Sequence, residues 1–408
     1  MTLDATTPLT DRARELDAAD PLGPLRSAFL PDPDVRAYFD GNSLGRPLAA
    51  TRDRLAGLVD IWSSRLIRGW DEGWMALPEE VGDRIGALTL GAAAGQTVVA
   101  DSTTVVLYKL IRAAIAARPG RDEIVIDDDN LPTDRFVVER IAAELGLTVR
   151  WLRVDRHAGV EVEQVAETVG ARTALVVLSH VAYRSSHLAD AEAITGIAHE
   201  AGALVLWDLC HSVGSVSIEL DRWGVDLAVG CTYKYLNGGP GSPAFAYVRL
   251  DLQDELEQPI AGWMGSAAPF DMGPHYEPAR GIRRFLSGTP SIVAMQPMRD
   301  MLDLIESAGM TAIRDKSIRL TDFALEIADA ELSEAGFTVA TARDAVRRGS
   351  HVTLEHPDAR AITARAWERG VLPDFRAPHG IRIGLSPLST SFAEVADGLA
   401  VLRECVGV

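Results

Sequence analysis

The sequence predicts an α/β protein, with a large domain on a mainly parallel sheet and a smaller α/β unit at the C-terminus. Three observations lead there. From about residue 85 to 250, short β-rich runs alternate with helical patterns. Those runs are apolar at successive positions, as in strands covered on both faces. Past a long Gly-, Pro- and aromatic-rich segment, Ala261 to Pro290, the pattern changes to two long helices and a compact terminal set.

The elements follow in order. Strands are expected at Glu123–Asp127, Thr148–Val154, Thr173–Val181, Ala203–Cys210, Leu227–Tyr235 and Ala244–Val248, each rich in β-branched or aromatic residues. Helices are expected at Val105–Ala116, Asp134–Leu145, Val160–Val169 and Leu188–Ala201, where apolar residues recur at helical spacing. Ser291–Ala308 and Ile313–Ala335 read as the long helices. The end reads as His351–Glu355, Ala361–Arg369, Ile381–Leu385 and a helix from Ser391. This divides the chain into an N-terminal segment (1–50), a large domain (51–300) and a small domain (301–408). Binding residues of such folds gather beyond the carboxyl ends of the strands.

Charge and composition exclude some functions. The 408 residues carry a formal charge of −18, with an isoelectric point near 4.9. Nucleic-acid binding, which rests on basic neutralisation of phosphates, is not expected, and an anionic membrane surface would repel the chain. No apolar run approaches a membrane span, and the opening residues do not read as a secretory signal. The three cysteines, Cys210, Cys231 and Cys405, form no C-x-x-C pair and suit a reducing cytoplasm. The histidines show no metal spacing, so no metal site is expected. Of 40 basic residues only Lys109, Lys234 and Lys316 are lysine. Guanidinium cannot form an imine, so a Schiff-base enzyme in this composition has three candidates.

Lys234 is the one placed for chemistry. It follows a strand and precedes Asn237-Gly238-Gly239-Pro240-Gly241, where glycine permits close backbone approach. The same residue also reads as a surface lysine before a loop. Lys109 reads as the wet face of its helix, and Lys316 as part of a solvated helix surface. Asp208, at the end of a strand, suits the partner of a pyridinium nitrogen, since a carboxylate there keeps the ring protonated. It also reads as a helix N-cap. Thr103 and Thr104, opening a helix, form a candidate phosphate cup, with an ordinary N-cap as the alternative. Gly41-Asn42-Ser43-Leu44-Gly45 matches the nucleophile elbow of serine hydrolases, but precedes the sheet and meets Pro47.

Taken together these blocks resemble the kynureninase family of fold-type-I pyridoxal-phosphate enzymes, from about Tyr38 to Leu388. The resemblance is carried by Tyr38 to Gly45, Leu66-Ile67-Arg68-Gly69-Trp70 with Trp74, Trp207 to His211, Val229 to Pro243, Gly262-Trp263-Met264-Gly265 and Gly288-Thr289-Pro290. It implies the fold-type-I large domain, with its seven-stranded type of sheet, and a small C-terminal domain. It implies pyridoxal 5'-phosphate as cofactor, a small-molecule amino-acid substrate, and a homodimer with the active site at the subunit interface. Lys234 would be the imine lysine and Asp208 the pyridinium partner, with His211 beside it. Thr103, Thr104, Tyr233, Trp263 and Thr289 would hold phosphate; Leu131 and Asp134 would lie over the ring. Lys234, Asp208 and Tyr233 would carry catalysis. Arg382 would clamp the substrate carboxylate, with Asn42, Trp74 and Ser266 as further substrate residues. The implied reaction cleaves the Cβ–Cγ bond of a kynurenine-type amino acid to alanine and a carboxylic acid.

The sequence departs from the family pattern at Leu131 (usually Phe), Val106 and Ala182 (usually Asn), Ser186 (usually Gly), Ser266 (usually His) and Ser389 (usually Tyr). Cofactor positions are mostly kept. The departures are expected to cluster on the substrate side, which leaves open a smaller or more polar amino acid handled by related Cβ chemistry. A cofactor-binding protein without turnover fits less well, because a mere binder needs no carboxylate clamp.

Overall fold

The computed structural model describes residues 8–407. Its large sheet has seven strands: β1 (Thr97–Ala100), β2 (Glu123–Asp127), β3 (Thr148–Leu152), β4 (Thr173–Ser179), β5 (Leu204–Asp208), β6 (Leu227–Gly230) and β7 (Ala244–Val248). Their spatial order is β1-β7-β6-β5-β4-β2-β3. Only β7 runs antiparallel to its neighbours. The link from β6 to β7 is the Gly- and Pro-rich turn after Lys234, which cannot form the crossover helix that a parallel return needs.

Strands β2, β5, β6 and β7 are buried at every residue. The edge strand β3 alternates instead, with Thr148 and Arg150 exposed. The sheet therefore has an apolar core on each face, one including helix α1 (Thr103–Ala116) and the other the long helix α3 (Ile292–Ala308). Helix α2 (Pro132–Leu145) has Pro at its start, where a missing N–H costs nothing.

The small domain has a four-stranded antiparallel sheet, β8 (Thr338–Val339), β9 (His351–Glu355), β10 (Asp374–Arg376) and β11 (Gly380–Gly384), in the order β10-β11-β9-β8. Its own core joins α4 (Met310–Ile327) and α5 (Phe392–Glu404) to Ala13, Ala37 and Phe39 from the N-terminal segment. Ala37 and Tyr38 pair in parallel with Val371 and Leu372. The N-terminal segment thus packs with the small domain, and the expected boundary after residue 300 falls inside the continuous helix α3.

Two readings of lysine are corrected. Lys109 is only 2 % exposed, and its Nζ donates to Asp101 at 2.6 Å and to the Phe285 carbonyl at 2.7 Å. Lys316, also 2 % exposed, pairs with buried Asp20 at 2.7 Å. Both were placed on wet helix faces because apolar spacing cannot show a buried counter-ion. The strand before Lys234 is also shorter than expected: it ends at Gly230, so Lys234 belongs to the turn.

Candidate active site

The carboxyl ends of β5 and β6, and the turn after β2, converge with the small domain. Asp208 is the last residue of β5, in register with Ser179 and Val229 on either side. Its carboxylate accepts the Cys210 N–H at 2.8 Å. Lys234 is buried, and its Nζ lies 3.2 Å from His211 Nε2. Burial, and then the lysine's charge, push the His211 pKa well below its ordinary value. This favours a neutral imidazole within hydrogen-bond distance of the lysine.

Asp134 stands in the first turn of α2, buried, with neither carboxyl oxygen hydrogen-bonded. Burial and the nearby Asp208 charge raise its pKa well above the carboxylate range, so it is held protonated. Leu131 caps that helix, its N–H bonded to Asn130 Oδ1 at 2.7 Å. Tyr233 is half-buried, and burial raises its phenol pKa, keeping it a neutral hydroxyl.

The Tyr38–Gly45 block, mistakable for a hydrolase elbow, joins the small domain to the lysine turn. The Gly45 N–H donates to the Tyr233 carbonyl at 2.7 Å, and a Cβ on Gly45 would sit 2.4 Å from the Lys234 carbonyl, so only glycine fits. Gly384 N–H donates to the Phe39 carbonyl at 2.7 Å. Asn42 is fully buried against Gly384, its amide unpaired on both atoms.

Arg382 on β11 is 1 % exposed. It donates to Asp374 through Nε at 2.8 Å and also through Nη2, to the Tyr183 carbonyl at 2.9 Å and to Ser43 Oγ at 3.0 Å. Sequence reasoning missed Asp374. The Pro378 and Gly380 turn signals mark a hairpin, and its register would have placed Asp374 opposite Arg382. It also missed His351, fully buried with both ring nitrogens unpaired and its ring 6.0 Å from that of His211.

The remaining candidates are spread more widely. Thr103 keeps its buried Oγ1 without a partner at the start of α1, whereas Thr104 is exposed. Thr289 is exposed, and Trp263 packs edge-on against Phe270 at 5.8 Å. Trp74 packs edge-on against Trp70 at 5.6 Å. Ser266 bridges to Pro278 in the outer segment. Among the departures, Val106 is core and Ser389 is buried, and Ser186 adopts φ +66°, the left-handed region natural to the glycine usual there. Ala182 lines a cavity with Asn130 and Tyr183. The departures therefore do not form one substrate wall within the chain.

Unpaired buried polar groups ask for a ligand. Here Asp134 is such a group near Asp208, and His351 is one near His211 and Lys234, while Thr103 offers an unpaired hydroxyl at a helix start. That set fits a flat, phosphate-bearing pyridine aldehyde.

The family model "Kynureninase C-terminal domain" matches residues 313–402. A kynureninase of Pseudomonas fluorescens is 41 % identical over 398 residues, covering 95 % of this chain and 93 % of its own. One of Burkholderia pseudomallei is 39 % identical over 402 residues, covering 97 % and 94 %. Among solved structures, a cysteine desulfurase of Thermococcus onnurineus superposes with TM-score 0.79 at 18 % identity, covering 99 % of each chain. The cystine C-S lyase C-DES does so with TM-score 0.80 at 19 % identity, covering 90 % of this chain and 97 % of its own. These two share the fold; the curated relatives, alike along nearly the whole length, place the chain in the kynureninase family.

Proposed function

We propose that this enzyme uses pyridoxal 5'-phosphate to cleave hydrolytically the Cβ–Cγ bond of a kynurenine-type amino acid, releasing alanine and an aromatic carboxylic acid. The observation that carries this is Lys234 buried beside a neutral His211, in a chain close to 40 % identical to kynureninases along almost its whole length. When bound, the cofactor supplies an aldehyde for covalent capture of an amine and a protonated ring that draws electrons.

The chain's residues do the rest. Lys234 would hold the aldehyde, and its amine would move a proton at the substrate Cα. His211 Nε2, within hydrogen-bond distance of the lysine, aims it. Asp208 would face the ring nitrogen, and burial, with a raised pKa, disfavours a second charge on Asp134. Thr103 and the free N–H groups at the start of α1 would hold phosphate. Arg382 binds the substrate carboxylate.

Steady-state kinetics with kynurenine and 3-hydroxykynurenine test the substrate. Efficiency of about 10⁴ M⁻¹s⁻¹ or more, with alanine released mole for mole, is expected of a dedicated enzyme. A smaller, more polar amino acid is the second reading, raised by the sequence departures at Ala182 and Ser266. It requires low efficiency with both kynurenines, raised when Ala182→Asn is combined with Ser266→His.

A homodimer would bring Trp263 and Thr289 of one subunit to the other's lysine. Trp62, Leu66, Ile67, Phe270 and Met272 are large apolar residues left exposed on the single chain, which supports such an interface. Sedimentation of the purified protein is expected to give twice the chain mass, and Ile67→Glu to shift it toward monomer. No helix among the described residues is long and apolar enough to cross a membrane. Three free, buried cysteines suit a cytoplasmic enzyme.

A further inference from the structure

We infer that Asp374 is an internal competitor for the carboxylate grip: it occupies Arg382 against simple anions, and yields it to an amino-acid substrate while staying tethered to Arg376. The inference rests on Arg382 being the carboxylate-binding residue.

Asp374 and Arg382 are directly opposed across the β10–β11 hairpin. Arg382 donates through Nε and Nη2 to Asp374, and through Nη1 and Nη2 to Tyr183 and Ser43. A guanidinium has five N–H donors, so these four bonds leave one. A bidentate grip needs two parallel donors, so an incoming carboxylate must displace Asp374 from at least one of them. Asp374 has somewhere to go. Arg376 Nη2 already lies 2.9 Å from the same carboxylate, and its side chain is 37 % exposed against 1 % for Arg382. The other nearby acid, Asp40, has a buried Oδ1 without a partner and a pKa raised by burial, so Asp374 is the carboxylate in contact with Arg382.

The exchange swaps one carboxylate for another on the same buried cation. For a simple anion it gains little. An amino acid has a second attachment, its amine, captured at the Lys234 end of the site, so the two contacts together can displace Asp374. Asp374 thereby selects for ligands that carry both groups, and its return to Arg382 helps an amino-acid product leave.

The test measures binding to the holoenzyme by cofactor absorbance, with L-alanine as the two-point probe and propionate, in competition, as the one-point probe. Asp374→Asn is expected to tighten propionate by ~5-fold or more, the upper end of what a part-exposed ion pair is worth, and L-alanine by less. Arg376→Gln removes the tether and is expected to weaken L-alanine by about 3-fold or more on the same scale. A merely structural Asp374 would loosen both probes in both variants, and that result overturns the inference. So does unchanged binding in either variant. If Asp374→Asn fails to fold, the half-exposed Arg376→Gln decides alone. Arg382→Gln separates the premises. If it binds L-alanine as the wild type does, the carboxylate-grip reading falls, and the inference with it. If it loses L-alanine while Asp374→Asn fails to tighten propionate, the inference alone falls.

Discussion

Lys234→Ala is expected to give a folded protein that no longer retains its cofactor covalently and turns over about 10⁴-fold more slowly, the upper range for losing a positioned acid–base group. Stability should change little. The lysine's Nζ makes a single hydrogen bond, to His211 at 3.2 Å, and such a bond contributes about 1 kcal/mol net. The chain's composition makes the assignment unusually clean. Its other two lysines are buried in ion pairs, Lys109 with Asp101 at 2.6 Å and Lys316 with Asp20 at 2.7 Å. Neither ammonium is free to attack an aldehyde, and no third site competes. Borohydride reduction of the wild-type holoenzyme followed by peptide mapping should therefore label Lys234 alone. A label on Lys109 or Lys316, or turnover surviving in the variant, would overturn the assignment.

How much of this was legible beforehand follows from which forces are local. Glu123–Asp127, Ala244–Val248 and His351–Glu355 were read to the residue, because apolar β-branched runs bounded by turn signals leave little choice. Thr97–Ala100 was missed: four residues between a helical pattern and the Ser-Thr turn carry too little periodicity. Lys234, Asp208 and His211 were legible as a set, since strand ends in an α/β sheet face one crevice. The ion pairs were not. Asp20 lies far along the chain from Lys316, and Asp374 meets Arg382 only through hairpin register. Spacing also could not tell that Trp74 and Ser266 lie on outer segments while Asn42 is sealed against Gly384. The resemblance to a family supplied their roles, but their positions needed the fold.

Asp208→Asn is expected to fold normally and to lose 10²-fold or more in turnover, roughly 3 kcal/mol of barrier. Asparagine keeps the shape, and its carbonyl oxygen can still accept the Cys210 N–H that Asp208 holds at 2.8 Å. What goes is the charge. Strands on both sides fix Asp208 in place, so the variant leaves a neutral amide where the ring nitrogen needs a carboxylate to stay protonated. Asp134 is a poor replacement, because burial, the largest cause of its raised pKa, remains when the Asp208 charge is gone. The same fact sets the control. Asp134→Asn replaces one neutral group by another and should cost less than about tenfold in turnover. Its signature is in stability. A carboxyl whose pKa is raised in the folded state adds stability in acid and loses it as pH rises through the folded pKa. Asp134→Asn should therefore flatten the fall in melting temperature of the cofactor-free protein as pH rises, while Asp208→Asn acts on turnover. Near-normal turnover of Asp208→Asn would reduce Asp208 to a cap for the Cys210 N–H, and equal losses in the two variants would mean that the pair shares its charge.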